Sequence, residues 1–222
     1  MNIPEHPFYD YSNFEWVKNL EDNYLVIKKE LSNIINNNAS DGTGENWTIT
    51  HPDYISKKDN NSVPWRTYEF LFFGIKQLIH CGNCPNTFDL LESIPELITA
   101  QFSLLEPNTR VKPHKGYSRM ILRNHLPLIV PKEGDMGIRV KDEVKIWEEG
   151  KLLSFYDAFD HEAWNLSNET RVVLMFDIAH PNCGYNAKQI CDYKIENVDD
   201  PFLLKIADKQ KWKEWLKQGY FS

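Results

Sequence analysis

The chain has 222 residues, 41% hydrophobic and 13% aromatic, an ordinary balance for one globular domain with a well-buried core. A formal net charge of -7 excludes the broad basic surface that non-specific binding to nucleic acid or an anionic membrane requires. The N-terminus, Met1-Asn2-Ile3-Pro4-Glu5-His6, has no basic segment leading into an apolar run, and no later stretch reaches a membrane span, so a cytoplasmic protein without nucleic-acid or membrane partners is expected.

From Phe14 to Ile35, Val17, Leu20, Tyr24, Ile27, Leu31 and Ile34 recur every three or four residues, the spacing of an amphipathic packing helix. Asn36 to Asn46 has turn chemistry and ends it, Trp47 to Tyr54 is ambiguous, and Asp59-Asn60-Asn61-Ser62 marks a second loop. Dense aromatic and aliphatic residues between Trp65 and Ile79 predict at least one buried strand. Cys81-Gly82-Asn83-Cys84 has the spacing of a redox pair or half a zinc site. Cys183 and Cys191 do not repeat that spacing, so structural thiols are the favoured reading. Thr87 to Leu97 reads as a short helix leading into a strand over Ile98 to Leu105. Strands over Arg110 to His114, Arg119 to Val130, Gly137 to Trp147 and Leu152 to Phe155 follow, the last two joined by a hairpin at Glu148-Glu149-Gly150-Lys151. The stretch Phe202 to Trp215 carries Leu204, Ile206, Trp212 and Trp215 on a polar background, as a helix closing over a sheet does.

Strand phase then singles out two charged faces. Side chains alternate with period two, so Val172, Leu174, Phe176 and Ile178 share one face while Arg171, Val173, Met175 and Asp177 share the other. Likewise Met120, Leu122, Leu126 and Leu128 oppose Arg119, Ile121, Arg123 and His125. One such strand reads most simply as facing solvent. Two of them point instead to an antiparallel barrel or jelly roll whose inner face lines a polar cavity, where an arginine needs a carboxylate ligand or an acidic partner. An internal Asp177–Arg171 contact is the rival to ligand binding by Arg171. His114 and His161 lie too far apart for one helix turn and can meet only through a sheet, where two imidazoles with open positions suit Fe(II).

The segments Phe102-Ser103, Pro113-His114-Lys115-Gly116, Arg123-Asn124-His125-Leu126, Pro131-Lys132-Glu133-Gly134, Trp147-Glu148-Glu149-Gly150-Lys151, Phe159-Asp160-His161-Glu162-Ala163-Trp164-Asn165 and Arg171 through His180-Pro181 closely resemble the aspartyl/asparaginyl β-hydroxylases. The resemblance implies a mainly β fold with flanking helices around a double-stranded β-helix, the cupin-like jelly roll. It also implies a single catalytic domain: a helical part over about 1–97, the β core over about 98–181 and a helical tail over about 182–222. It further implies Fe(II) held by His114 and His161, the cosubstrate 2-oxoglutarate bound by Ser103, Arg123, His125 and Arg171, and O2 as second cosubstrate. The animal members' helical-repeat domain and membrane anchor have no counterpart in this sequence.

The expected activity is hydroxylation of a C–H bond in an aspartyl or asparaginyl residue, a free amino acid or an amino-acid-derived small molecule. Gly116 stands where many related oxygenases carry a third, carboxylate ligand, and the resembled family shares that gap. Iron and 2-oxoglutarate halogenases share it too, so halogenation is one alternative and an inactive cupin-like binding protein another. Lipid modification ranks last, for want of an apolar anchor. Asp157, Asp160, Glu162 and Asp177 are candidates for orienting the histidines, with solvated loop charges the simpler reading for most of them. His180-Pro181 reads as structural, and Asn36 to Ser62 and Gly184 to Asp200 read as loops at the barrel mouth that set specificity.

Overall fold

The computed structural model describes residues 6–37, 47–49, 55–57 and 65–220. Of the turn expected over Asn36 to Asn46, Asn36 and Asn37 still belong to a helix and the rest lies outside these described residues, as do 50–54 of the ambiguous Trp47 to Tyr54 and the loop at Asp59 to Ser62. In chain order come β1 (Phe8–Tyr9), α1 (Glu15–Asp22), α2 (Tyr24–Asn37), β2 (Thr48–Ile49), β3 (Ile55–Lys57), β4 (Trp65–Phe72), β5 (Ile75–Lys76), α3 (Leu78–Asn83) and α4 (Pro85–Glu92). The central run is β6 (Leu97–Leu105), β7 (Thr109–His114), β8 (Ile121–Ile129), β9 (Met136–Val140), β10 (Glu143–Lys145), β11 (Leu153–Phe155), β12 (His161–Asn165) and β13 (Arg171–Ala179). Three helices follow: α5 (Ala187–Glu196), α6 (Pro201–Ile206) and α7 (Lys209–Gln218).

The strands form two antiparallel sheets. The larger has the order β1-β11-β8-β13-β6-β4-β2, with β5 on β4, and the smaller the order β10-β9-β12-β7-β3. Val173, Met175, Phe155, Ile138, Val140 and Trp147 fill the space between them, which makes this the jelly-roll core with flanking helices that the sequence implies. On the larger sheet's outer face, Leu122, Leu126, Leu174 and Phe176 pack against Leu20, Ile27 and Leu31 of α1 and α2. Strand β13 is buried along its whole length and paired on both sides, with β8 and β6. The two faces assigned by strand phase are therefore the two faces observed. Arg119 and Met120 depart, both sitting in the turn before β8.

Four expectations need correction. The helix over Phe14 to Ile35 is two helices, because Asn23 leaves helical geometry and its side-chain amide donates to the Asn19 carbonyl at 2.8 Å. The stretch Gly137 to Trp147 is a hairpin, with β9 turning at Lys141 (φ +52°) into β10. Glu148 to Lys151 is therefore no hairpin: it carries the chain from one sheet to the other, since β11 pairs with β8. Its Gly150 has φ +74° and lies against Tyr24, whose ring a Cβ there would meet at 2.8 Å. Gly184 to Asp200 is largely helix α5, started by a capping box in which Gln189 N donates to Asn186 Oδ1 at 2.8 Å and Asn186 N donates to Gln189 Oε1 at 3.0 Å.

Cys81 and Cys84 are buried free thiols, pushed up to about 11 and about 12 by burial, which fits the structural reading. Cys84 is also the residue before α4 and has no oxygen to cap it. Glu30 of α2 does so instead, accepting from the backbone N–H groups of Asn86 at 3.1 Å and Thr87 at 2.8 Å and from both side chains. Glu30→Ala should cost about 2–3 kcal/mol, read as a lower urea midpoint with unchanged slope; an unaltered midpoint would show that the cap contributes nothing.

Candidate active site

Strands β7 and β12 are antiparallel neighbours, and their register sets His161 opposite His114 with ring centroids 4.2 Å apart. Each Nδ1 faces the backbone carbonyl two residues earlier, Lys112 O at 2.8 Å and Phe159 O at 2.9 Å. A carbonyl only accepts, so each neutral ring carries its proton on Nδ1 and its lone pair on Nε2, the form that ligates a metal. Burial, and then the neighbouring His114, pull His161 down to about 3, and burial lowers His114 as well. Both rings are thus neutral at physiological pH. Among the described residues no third His, Cys, Asp or Glu joins them in a metal-binding group.

A second cluster gathers around Arg171 at the start of β13. The guanidinium is buried, lies over the Trp147 ring at 4.6 Å and donates through Nη1 to Ser103 O at 3.2 Å, while its Nε has no partner. Burial pulls its pKa down to about 9, with no acidic neighbour among the described residues to offset it. Trp147 Nε1 donates to His125 Nδ1 at 3.2 Å, which places the His125 proton on Nε2. That Nε2 is also buried and unpartnered. Burial first, then the charge of Arg171, keeps His125 neutral. Ser103 Oγ accepts from Trp65 Nε1 at 3.0 Å, leaving its own proton to donate. The cluster offers donors and one uncompensated positive charge, the complement of a carboxylate. Trp147 and Trp65 had no role assigned from sequence; the signal for Trp147 was its place beside Glu148-Glu149-Gly150.

Arg123 differs from Arg171. Its Nε and Nη2 bind both oxygens of Asp177 at 2.9 Å, the Asp157 carboxylate lies 3.3 Å away, and Tyr117 also donates to Asp177 at 3.1 Å. Burial alone would lower the Arg123 pKa, but Asp177 and Asp157 outweigh it and raise it. The Asp177–Arg171 rival contact is therefore absent, since Asp177 belongs to Arg123. Most of Arg123's donors are already engaged, and its candidate role at the cosubstrate narrows to the remaining Nη1.

Asp157 is fully buried and raised to about 7 by burial against the pull of Arg123, so it is no solvated loop charge. Gly116 N donates to its carbonyl at 2.7 Å, and a Cβ at Gly116 would collide with its carboxylate. The space that a third ligand's side chain would occupy is thus filled from the loop before β12. Asp160 and Glu162 instead hold Arg139 at 2.9 and 2.7 Å, and backbone carbonyls orient the histidines. His180 fits its structural reading: it accepts from Asn182 N at 3.0 Å and donates to the Tyr156 hydroxyl at 2.9 Å.

A cavity of about 500 Å3 runs from His114, Gly116 and Arg123 to an apolar wall that includes Phe72, Leu203 and Trp212. A rigid sheet thus presents two metal-type imidazoles, a carboxylate-type pocket and a space beside them large enough for a substrate.

A family model described as Aspartyl/Asparaginyl beta-hydroxylase matches residues 21–181. The ornithine lipid ester-linked acyl 2-hydroxylase of Rhizobium tropici is 35% identical over 217 residues, covering 96% of this chain and 74% of that protein. The human aspartyl/asparaginyl beta-hydroxylase is 32% identical over 172 residues, covering 75% of this chain but 21% of that protein, so this chain spans a minor part of its length. Among solved structures, a 2OG-Fe(II) oxygenase family oxidoreductase from Burkholderia pseudomallei aligns with TM-score 0.40 and 13% identity over 56% of this chain and 73% of that one. The family match takes in most of the chain and every residue of both clusters, and the chain belongs to the aspartyl/asparaginyl β-hydroxylase family.

Proposed function

We propose that the chain is an Fe(II)- and 2-oxoglutarate-dependent hydroxylase, and the observation that carries this reading is the buried Arg171, with no counter-charge among the described residues, in the same barrel as two neutral imidazoles that carry their protons on Nδ1. The donor set fits the group: His114 and His161 would hold Fe(II), while Arg171 Nε, His125 Nε2–H and Ser103 would take the carboxylates of 2-oxoglutarate. Bound together, Fe(II) and the keto acid supply the oxidising chemistry in which one oxygen atom of O2 enters a substrate C–H bond and 2-oxoglutarate leaves as succinate and CO2.

The chain's own part is positioning. Arg171 is braced by Trp147 and the Ser103 carbonyl, so its fork meets a carboxylate in one orientation. His125, kept neutral, donates without adding a second charge. The halogenase alternative needs an anion in the space left by Gly116, and the Asp157 carboxylate beside that glycine argues against a chloride there.

For the substrate, we infer an amino-acid-derived molecule that carries an apolar chain. The relative matched over 96% of this chain is named for hydroxylating the acyl group of a lipid, and the cavity wall of Phe72, Phe73, Leu203, Ile206 and Trp212 suits such a chain. Lipid chemistry, ranked last from sequence, thereby moves ahead of an aspartyl or asparaginyl side chain. No helix among the described residues is long and apolar enough to cross a membrane, so the chain would have to meet a lipid by another means.

Anaerobic titration of the Fe(II)-loaded protein with 2-oxoglutarate should produce the visible charge-transfer band of a chelated keto acid, and His161→Ala should lose both band and metal stoichiometry. A wild type with no band and no binding would overturn the proposal. Arg171→Ala should weaken 2-oxoglutarate by about 2–5 kcal/mol while sparing the metal; equal affinity in calorimetry would remove Arg171 from the site. Without ligand, Arg171→Met should raise urea stability by about 1–4 kcal/mol, because it deletes a buried charge that nothing neutralises. A loss of stability instead would show that the guanidinium is already compensated.

A further inference from the structure

The far side of the cavity holds a carboxylate that neither cluster uses. Glu69 of β4 lines the cavity, half-buried, and accepts hydrogen bonds from the hydroxyls of Thr67 and, at 3.2 Å, Thr48. No cation among the described residues pairs with it. Arg66 is committed to Glu106 and Lys76 to Glu92; of the two lysines that line the cavity, Lys194 lies over the Tyr117 and Phe73 rings at 5.3 and 5.9 Å, and Lys115 stands beside His114 and Gly116 at the other end. Burial raises the Glu69 pKa against the hydrogen bonds from Thr67, its own backbone and Thr48. Two hydroxyls leave roughly half of a carboxylate's four or so lone-pair sites open.

Its placement relative to the active site follows from register. Glu69 stands opposite Gln101, Gln101 opposite Met175, and Met175 opposite His125, so one row crosses β4, β6, β13 and β8. Three strand spacings put Glu69 on the order of 14 Å from His125. Between them lie the uncharged Gln101 and Met175, and beside the row stand Phe72, Phe73 and Leu203. A molecule entering here meets a carboxylate at one end, an apolar wall along its length and His114, beside Gly116 and Arg123, at the other.

We propose that Glu69 is the substrate's amine-recognition site: its carboxylate, held by Thr48 and Thr67, takes an ammonium group while the adjoining wall takes an apolar chain. This deepens the substrate reading above and rests on it only for the claim that the bound molecule is turned over. It makes the preferred substrate cationic and amphipathic, and it assigns specificity to a residue remote from the metal and cosubstrate groups. A neutral or anionic analogue with the same chain leaves the Glu69 carboxylate covered without a counter-charge, which is how a polar site rejects the wrong ligand.

The test uses octylamine, protonated at neutral pH as lysine is, against octanol, which has the same chain without the charge. Each is titrated into the full chain, with and without Fe(II) and 2-oxoglutarate, following the fluorescence of Trp65 and Trp212, which line the cavity. The wild type should bind octylamine at least about tenfold tighter than octanol, a preference of about 1.4 kcal/mol, and Glu69→Gln should bring the two together without altering the 2-oxoglutarate titration. Equal binding of the two by the wild type overturns the proposal, as does a preference that survives in Glu69→Gln. If the variant does not fold, the wild-type comparison decides alone. Amine preference without a charge-transfer band keeps this site and removes the oxygenase reading; the band without amine preference does the reverse.

Discussion

Two guanidinium groups are buried on the inner face of the larger sheet, and the protein neutralises only one of them. Arg123 on β8 sits opposite Asp177 on β13 and binds it through two parallel hydrogen bonds, with Asp157 and Tyr117 completing the cluster. Such a cluster costs desolvation and returns rigidity: it ties β8, β13 and the loop before β12 into one arrangement. Arg171, on the same strand as Asp177, receives an aromatic face and a carbonyl but no acid. The two arginines differ in this: among the described residues one is neutralised by two acids and the other by none, which is what supports the proposed role of Arg171 in holding a carboxylate.

The same cluster explains the glycine. Asp157 is drawn inward toward Arg123, and the position next to it on the β7 side must then lack a side chain, because any Cβ at 116 would enter the carboxylate. Read from sequence, Gly116 is an absence in a ligand set. In three dimensions it is a packing requirement, set by an acid forty-one positions further on. The two histidines need no carboxylate to orient them, since the local chain bends each ring onto the carbonyl two residues back.

What could be read from the chain alone follows from which signals are local. Strand phase is local, so the inward set Arg123, His125, Arg171, Val173 and Met175 was legible, and the β13 and β8 faces follow it. Ser103, His114 and His161 came from resemblance and not from periodicity. The partner of Arg123 was not legible, because it depends on the register between β8 and β13, which period two does not fix; the rival Asp177–Arg171 contact fails on strand geometry alone, since six residues of one extended strand separate the two by about 20 Å. The split at Asn23, the turn at Lys141 and the capped start of α5 each depend on one side chain or one backbone angle inside an otherwise continuous pattern. The Asn186–Gln189 capping box was the one of these with a signal in the sequence, at the spacing that starts helices.

The division of labour along the chain bears on what the enzyme acts upon. His114, His125, His161, Arg171 and Ser103 all lie within residues 21–181, the part that matches the family model. Leu203, Ile206 and Trp212, which build much of the cavity's apolar wall, lie beyond it on α6 and α7. The matched part thus holds both clusters together with Glu69, Phe72 and Phe73, and the C-terminal helices complete the cavity's apolar wall. The relative from Rhizobium tropici aligns across nearly the whole chain, whereas the human protein aligns over three quarters of it. Under the proposed reading, an apolar wall carried partly by the C-terminal helices, together with Glu69 on β4, would take a chain with a charged end. A short aspartyl side chain would leave both unused.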